Sequence, residues 1–179
     1  SWFITYFIIF TITSILVSIA LVQVFKESHW ALIFLWHWGY SMALMTMGFL
    51  ISTFFSKAKV GNVAGFVIPL FLDNLRSIVD SDSSQATLLG VSIAPQVSLS
   101  FSADQILNLE AVGTGLTFDT VETKISNYQM WYHYAAMGAA IVVFLILGTY
   151  FDKVLPSEFG IRKHPLFCLT CCCKRRKRR

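Results

Sequence analysis

The chain has 179 residues, of which 55% are hydrophobic and only 13% charged, with a mean hydropathy of +0.63. A soluble domain of this size leaves too much of its surface in water to hide that apolar content, so the composition excludes a soluble globular protein and points to a membrane. The formal charge of +4 comes from the last six residues, Lys174 to Arg179; without them acids outnumber bases.

Three runs supply the roughly 20 apolar residues that one bilayer-crossing helix needs. The first, 2–24, lacks the basic leader and small-residue cleavage site of a signal peptide and is too long for its apolar core. The chain starts at Ser1-Trp2 with no Met, as expected of a segment cut from a longer protein.

The second run, 30–55, follows a short turn whose one base is Lys26. Its beginning, HWALIFLWHWGY (29–40), holds three Trp, two His and a Tyr. Trp and Tyr gather at membrane interfaces because one end of each is polar and the other apolar, so the stretch reads as an aromatic belt. Haem held by His37 and by His133 of MWYHY is the other chemistry on offer. At a rise of ~1.5 Å per residue, His37 lies about 10 Å into its span and His133 much nearer the end of its own, so the depths disagree.

The third run, 60–79, is weaker, interrupted by Pro69, Asp73, Asn74 and Arg76. It opens on a GxxxG pair, Gly61 and Gly65, the spacing that lets membrane helices approach closely. Asp73 and Arg76 read as an i,i+3 pair at the end of a short helix, in preference to polar groups lining a substrate path.

Charge sets the orientation. Eleven of the fourteen basic residues lie at 57–59 or beyond the last span, whereas 73–129 holds two bases against seven acids. Bases stay cytoplasmic, so 57–59 and the tail face the cytoplasm and 73–129 lies outside. An even number of crossings then separates Lys57 from the tail, and 60–79 with 130–151 already make two. The apolar stretch ATLLGVSIAPQVSLSF (86–101), with Pro95 and Gln96 at its centre, therefore dips in and returns as a re-entrant hairpin over about 84–110, or lies at the interface. Non-helical backbone at that depth is tolerated only against protein or a water-filled cavity. Asp104 to Glu110 reads as a short amphipathic helix capped by Asp104, followed by an outer loop at 111–129.

The last span, 130–151, contains the small-residue run AAMGAA (135–140) around Gly138. Residues 1–152 thus form a membrane domain, and 153–179 a cytoplasmic exit and basic tail. CLTCCCKRRKRR sets Cys168, Cys171, Cys172 and Cys173 beside the basic cluster. Palmitoylation aided by anionic lipid fits that arrangement, as does a plain stop-transfer flank; zinc ligation by such crowded neighbours does not. No phosphate loop, HExxH or GxSxG occurs, so no catalytic, cofactor-binding or metal-binding residue is assigned, and nothing points to nucleic acid. The fold class is all-α integral membrane, with four transmembrane helices and an outer-face re-entrant hairpin.

SWFITYFIIF (1–10), FLISTFFSKAK (49–59), VGNVAGFVIPLF (60–71), GVSIAPQVSLSF (90–101) and YFDKVLPSEFGIRKHPLFC (150–168) occur in this order. The set resembles the first transmembrane domain of subfamily A ABC transporters, the large lipid exporters and importers. The match runs from the family's third helix to its exit towards the first nucleotide-binding domain. The resemblance implies ATP-driven lipid movement, with Pro95 and Gln96 in an outer gate. Asp152, Lys153, Pro156, Phe159 and Gly160 would form a stiff exit that passes motion to an ATPase domain. ATP and Mg would belong to nucleotide-binding domains outside these residues, and the partners would be membrane lipid, the remaining helices and those domains. Two other readings stand beside it: a truncated relative serving as a structural subunit of a membrane complex, and a tetraspanin-like organiser. The cysteine-free outer loop counts against the second.

Overall fold

The computed structural model describes residues 2–55, 58–79, 83–125 and 127–155. Among them there are six α-helices: α1 (Trp2–Val24), α2 (Trp30–Thr53), α3 (Ala58–Asp73), α4 (Gln85–Val91), α5 (Pro95–Ala111) and α6 (Met130–Val154). A 3₁₀ turn, Asn74–Ser77, extends α3. The described residues contain no strand beyond an isolated bridge between Ile125 and Tyr128.

α1 and α6 are each long and apolar enough to cross a membrane. Among the described helices no other meets both conditions. α2 has the length, at 24 residues, but carries His37, Gly39, Ser41, Thr46 and Gly48 within it. α3 has only 16 residues and contains Pro69, short of the ~20 that a perpendicular crossing takes.

α2 is the central helix, packed against α1 on one side and α6 on the other, with α3 and α5 also touching it. It buries apolar residues all round, from Leu32 and Ile33 to Met47 and Ile51, as a helix enclosed by neighbours must. α1 instead leaves Ile4, Ile8, Ile12, Leu16 and Ile19 exposed. It meets α2 through a stripe of small hydroxyls: Ser14 and Ser18 are fully buried, and Ser14 Oγ donates to Ser41 Oγ at 3.3 Å. Trp38 Nε1 adds a hydrogen bond to Thr11 Oγ1 at 3.2 Å. Without a hydrophobic drive between helices in lipid, close approach and such bonds hold the pair.

α2 and α6 cross through small residues. Ala43 of α2 is buried in one cluster with Ala136, Met137 and Ala140 of α6. The small-residue run is therefore used, through its i,i+4 alanines. Gly138 is exposed, and a Cβ there would meet nothing within 4 Å. Closer to the end of α6 the two backbones depend on Gly148, where a Cβ would stand 2.7 Å from the Phe49 ring.

Two sequence expectations are corrected. The helix predicted from Asp104 is the second half of a continuous α5, since nothing after Phe101 breaks the backbone, so Asp104 caps nothing. Its carboxylate pairs with Arg76, whose guanidinium also lies 5.2 Å from the Phe101 ring centroid. Arg76 thus reaches across to α5 and does not close on Asp73.

Candidate functional site

α4 and α5 form a helix–turn–helix that docks on the α2–α6 pair. Ser84 caps α4, accepting from Thr87 N at 3.3 Å. The chain reverses at residues 92–94, and Pro95 takes the first position of α5, where its missing N–H costs nothing and its fixed φ is already helical. Pro95 and Gln96 are both buried there, at the turn of the hairpin.

A buried polar network fixes this hairpin. His133 of α6 is fully buried. Its Nε2 lies 3.2 Å from the Trp36 carbonyl oxygen, which can only accept, so Nε2 carries the proton. Nδ1 is then the acceptor, with Ser98 Oγ at 2.9 Å donating to it. Tyr128 Oη stands 3.3 Å from that same Ser98 oxygen. Burial pushes the Tyr128 phenol up from its ordinary 10.0, and hydrogen bonds with Ser98 and Ser92 oppose the shift, so it serves as a proton donor. Trp36 Nε1 donates to Ser102 Oγ at 2.7 Å, and Ser102 Oγ donates to the Ser98 carbonyl at 2.7 Å. Every member is paired, the condition under which a buried polar network rigidifies its surroundings. One neutral histidine thereby joins α2, α5 and α6.

The far end of α5 is latched to the α1–α2 turn. Glu110 accepts from Glu27 N and from Ser28 Oγ, both at 2.9 Å. Ser28 Oγ in turn accepts from Leu116 N at 2.8 Å, and His29 N donates to the Leu116 carbonyl at 2.8 Å. The close approach requires Gly115: its φ is +61°, and a Cβ would fall 2.2 Å from the Glu27 carbonyl oxygen.

Between α2, α3 and α5 lies a cavity of about 500 Å³. Leu44, Met47, Phe66, Pro69 and Leu99 make its walls apolar, and Tyr40, Asp73, Gln96 and Ser100 supply its polar groups. Gln96 is 8% exposed, and neither of its amide atoms has a hydrogen-bond partner among the described residues.

The residues singled out from sequence are scattered. Gly65 lines the cavity, and a Cβ at that position would meet nothing within 4 Å; at Gly61 it would make only ordinary contact with Phe55. His37 and His133 belong to separate networks, since His37 Nδ1 lies 3.3 Å from Ser14 Oγ of α1. Asp152 and Lys153 sit exposed in the last turn of α6. Pro156, Phe159, Gly160 and the four cysteines lie outside the described residues. Sequence reasoning weighed His133 only as a haem ligand and missed the bonding roles of Ser98, Ser102 and Glu110. The i,i+4 pair of serines in α5 was the one available signal.

These features describe a helical membrane segment with a docked hairpin. Compared with known proteins, the chain is 30% identical over 171 residues to ABC transporter A family member 7 of Dictyostelium discoideum, covering 92% of this chain and 19% of that protein. To member 9 of the same organism it is 32% identical over 181 residues, covering 94% and 21%. To the human retinal-specific phospholipid-transporting ATPase it is 26% identical over 168 residues, covering 89% and 7%. No family model matches the chain. The chain belongs to subfamily A of the ABC transporters. It spans about a fifth of the length of the two Dictyostelium relatives.

Proposed function

We propose that the chain is part of the transmembrane domain of an ATP-driven lipid transporter, running from the third helix of the first half to the exit towards the first nucleotide-binding domain. α1, α2, α3 with its 3₁₀ extension, and α6 cross the bilayer; α4 and α5 dip in from the outer face and return. The observation that carries this reading is the alignment of about nine-tenths of the chain with A-family transporters, one of which bears the name of a phospholipid-transporting ATPase.

In this reading the chain performs no bond chemistry. Its apolar helices offer lipid a lateral path, and the hairpin, with Pro95 and Gln96 at its turn, forms the outer gate. The hairpin is pinned to α2 and α6 by His133, so displacement of α6 is felt at the gate. α6 continues into the exit through Asp152 and Lys153, and the cation near its C-terminus complements the helix dipole. ATP and Mg act in the nucleotide-binding domains. A tail near anionic headgroups, with Cys168, Cys171, Cys172 and Cys173 as acylation sites, completes the cytoplasmic side.

The test is ATP-dependent movement of a fluorescent phospholipid in proteoliposomes carrying the native polypeptide. Movement that requires hydrolysable ATP supports the reading. A native polypeptide of about 20 kDa with no ATPase partner would sink it and favour the structural subunit.

A further inference from the structure

The cavity between α2, α3 and α5 has chemistry that suits one kind of ligand. We propose that it binds a long-chain primary amine: an ammonium group on a single alkyl chain, with no phosphate. Gln96 supplies the first argument. A buried side-chain amide with neither atom paired is rare in native proteins and calls for a partner, and this one lines an open space. The amide oxygen needs a donor, and an ammonium carries three, though it offers the amide nitrogen no acceptor.

Charge supplies the second argument. Asp73 is the one charged residue among those lining the cavity. Its side chain makes no capping hydrogen bond to the 3₁₀ turn that follows. Arg76, the cation closest to it in sequence, is held by Asp104 and Phe101. A phosphate would meet a carboxylate with no lining cation to offset it, whereas an ammonium is attracted to that exposed carboxylate. Tyr40 and Ser100 add hydroxyl oxygens that accept its remaining protons.

Size supplies the third argument. About 500 Å³ holds roughly 17 groups of water size, at ~30 Å³ each. That is room for one alkyl chain. Gly48 and Gly65 keep the apolar part open, since a Cβ at either would meet nothing within 4 Å.

The site shares Gln96 with the proposed gate, but binding is read without ATP, so its failure would leave the transport reading untouched. The native polypeptide is placed in phosphatidylcholine nanodiscs, and saturable binding of tritiated hexadecylamine is measured against hexadecanol and hexadecyl phosphate as competitors. Hexadecylamine is expected to fill one site and to be displaced at least tenfold more weakly by either competitor. Asp73→Asn, at an exposed helix end, should abolish that preference. Gly65→Leu, whose side chain enters open space, should cut saturable binding at least tenfold with an unchanged melting midpoint. Absence of a saturable site, equal competition by all three headgroups, or unaltered binding in a folded Gly65→Leu protein would each overturn the proposal.

Discussion

Gly115 has the least freedom to change of any described glycine. Its left-handed φ strains any other residue, and the Glu27 carbonyl occupies the place of a Cβ. Gly115→Ala should therefore open the latch between α5 and the α1–α2 turn, at a cost of about 1–3 kcal/mol for the backbone alone. The check is thermal unfolding of the purified protein; an unchanged midpoint would contradict the geometry. Gly148→Ala should push Phe49 aside or part α2 from α6, costing about 1–3 kcal/mol as overpacking does. Gly138→Ala should be neutral within this chain, so an effect as large as that at Gly148 would place a partner helix on that face of α6. Local patterns alone drew attention to Gly61, Gly65 and Gly138. Whether a glycine is needed depends on what stands opposite it, and Phe49 is remote in sequence from Gly148. No motif could have carried that information.

At the scale of elements, the hairpin is held by the His133 network and by buried apolar residues such as Leu88, Val97, Phe101 and Ile106. His133→Ala leaves the Ser98 hydroxyl and the Trp36 carbonyl without their partner, a loss of about 1–3 kcal/mol for buried groups. Limited proteolysis after residue 111 should then quicken along with the fall in melting temperature. Unaltered protease resistance would show that the network does not pin the hairpin. Pro95 made the hairpin legible in the sequence, because a proline inside an apolar run ends one helix and starts another. The continuity of α5 was less legible: Asp104 has the chemistry of a helix cap, and its partner Arg76 sits in the preceding segment. The burial of His133 was hidden for a similar reason. Helix rise set it near the start of α6, where it lies, but gave no sign that α5 folds over it and buries it completely. Burial by a neighbouring element is a tertiary fact that spacing along one helix does not encode.

For the whole molecule, composition alone indicated a membrane, and α1 and α6 meet the length and hydropathy that a crossing demands. The central position of α2 was hidden in its polar residues, which looked like an interfacial belt. Trp36 of that belt is buried, as are Ser41 and Thr46 beyond it. α3 is shorter than its apolar run suggested, ending at Asp73 before the 3₁₀ turn.

The central claim is that α4 and α5 enter and leave on one face, so that Lys57 and the tail share a side while the 111–129 loop faces the other. It is tested most directly by cysteine labelling in sealed membrane vesicles. Cys171, Cys172 and Cys173 are replaced by serine and Cys168 is kept as the reference, freed of any acyl group with hydroxylamine, with Phe118→Cys or Lys57→Cys added in turn; Phe118 is 66% exposed. A membrane-impermeant maleimide should reach Lys57→Cys and Cys168 from the same face and Phe118→Cys only from the opposite one. Labelling of Lys57→Cys and Cys168 from opposite faces would make the hairpin a full crossing or α3 a partial one, and would contradict the topology on which the gate depends.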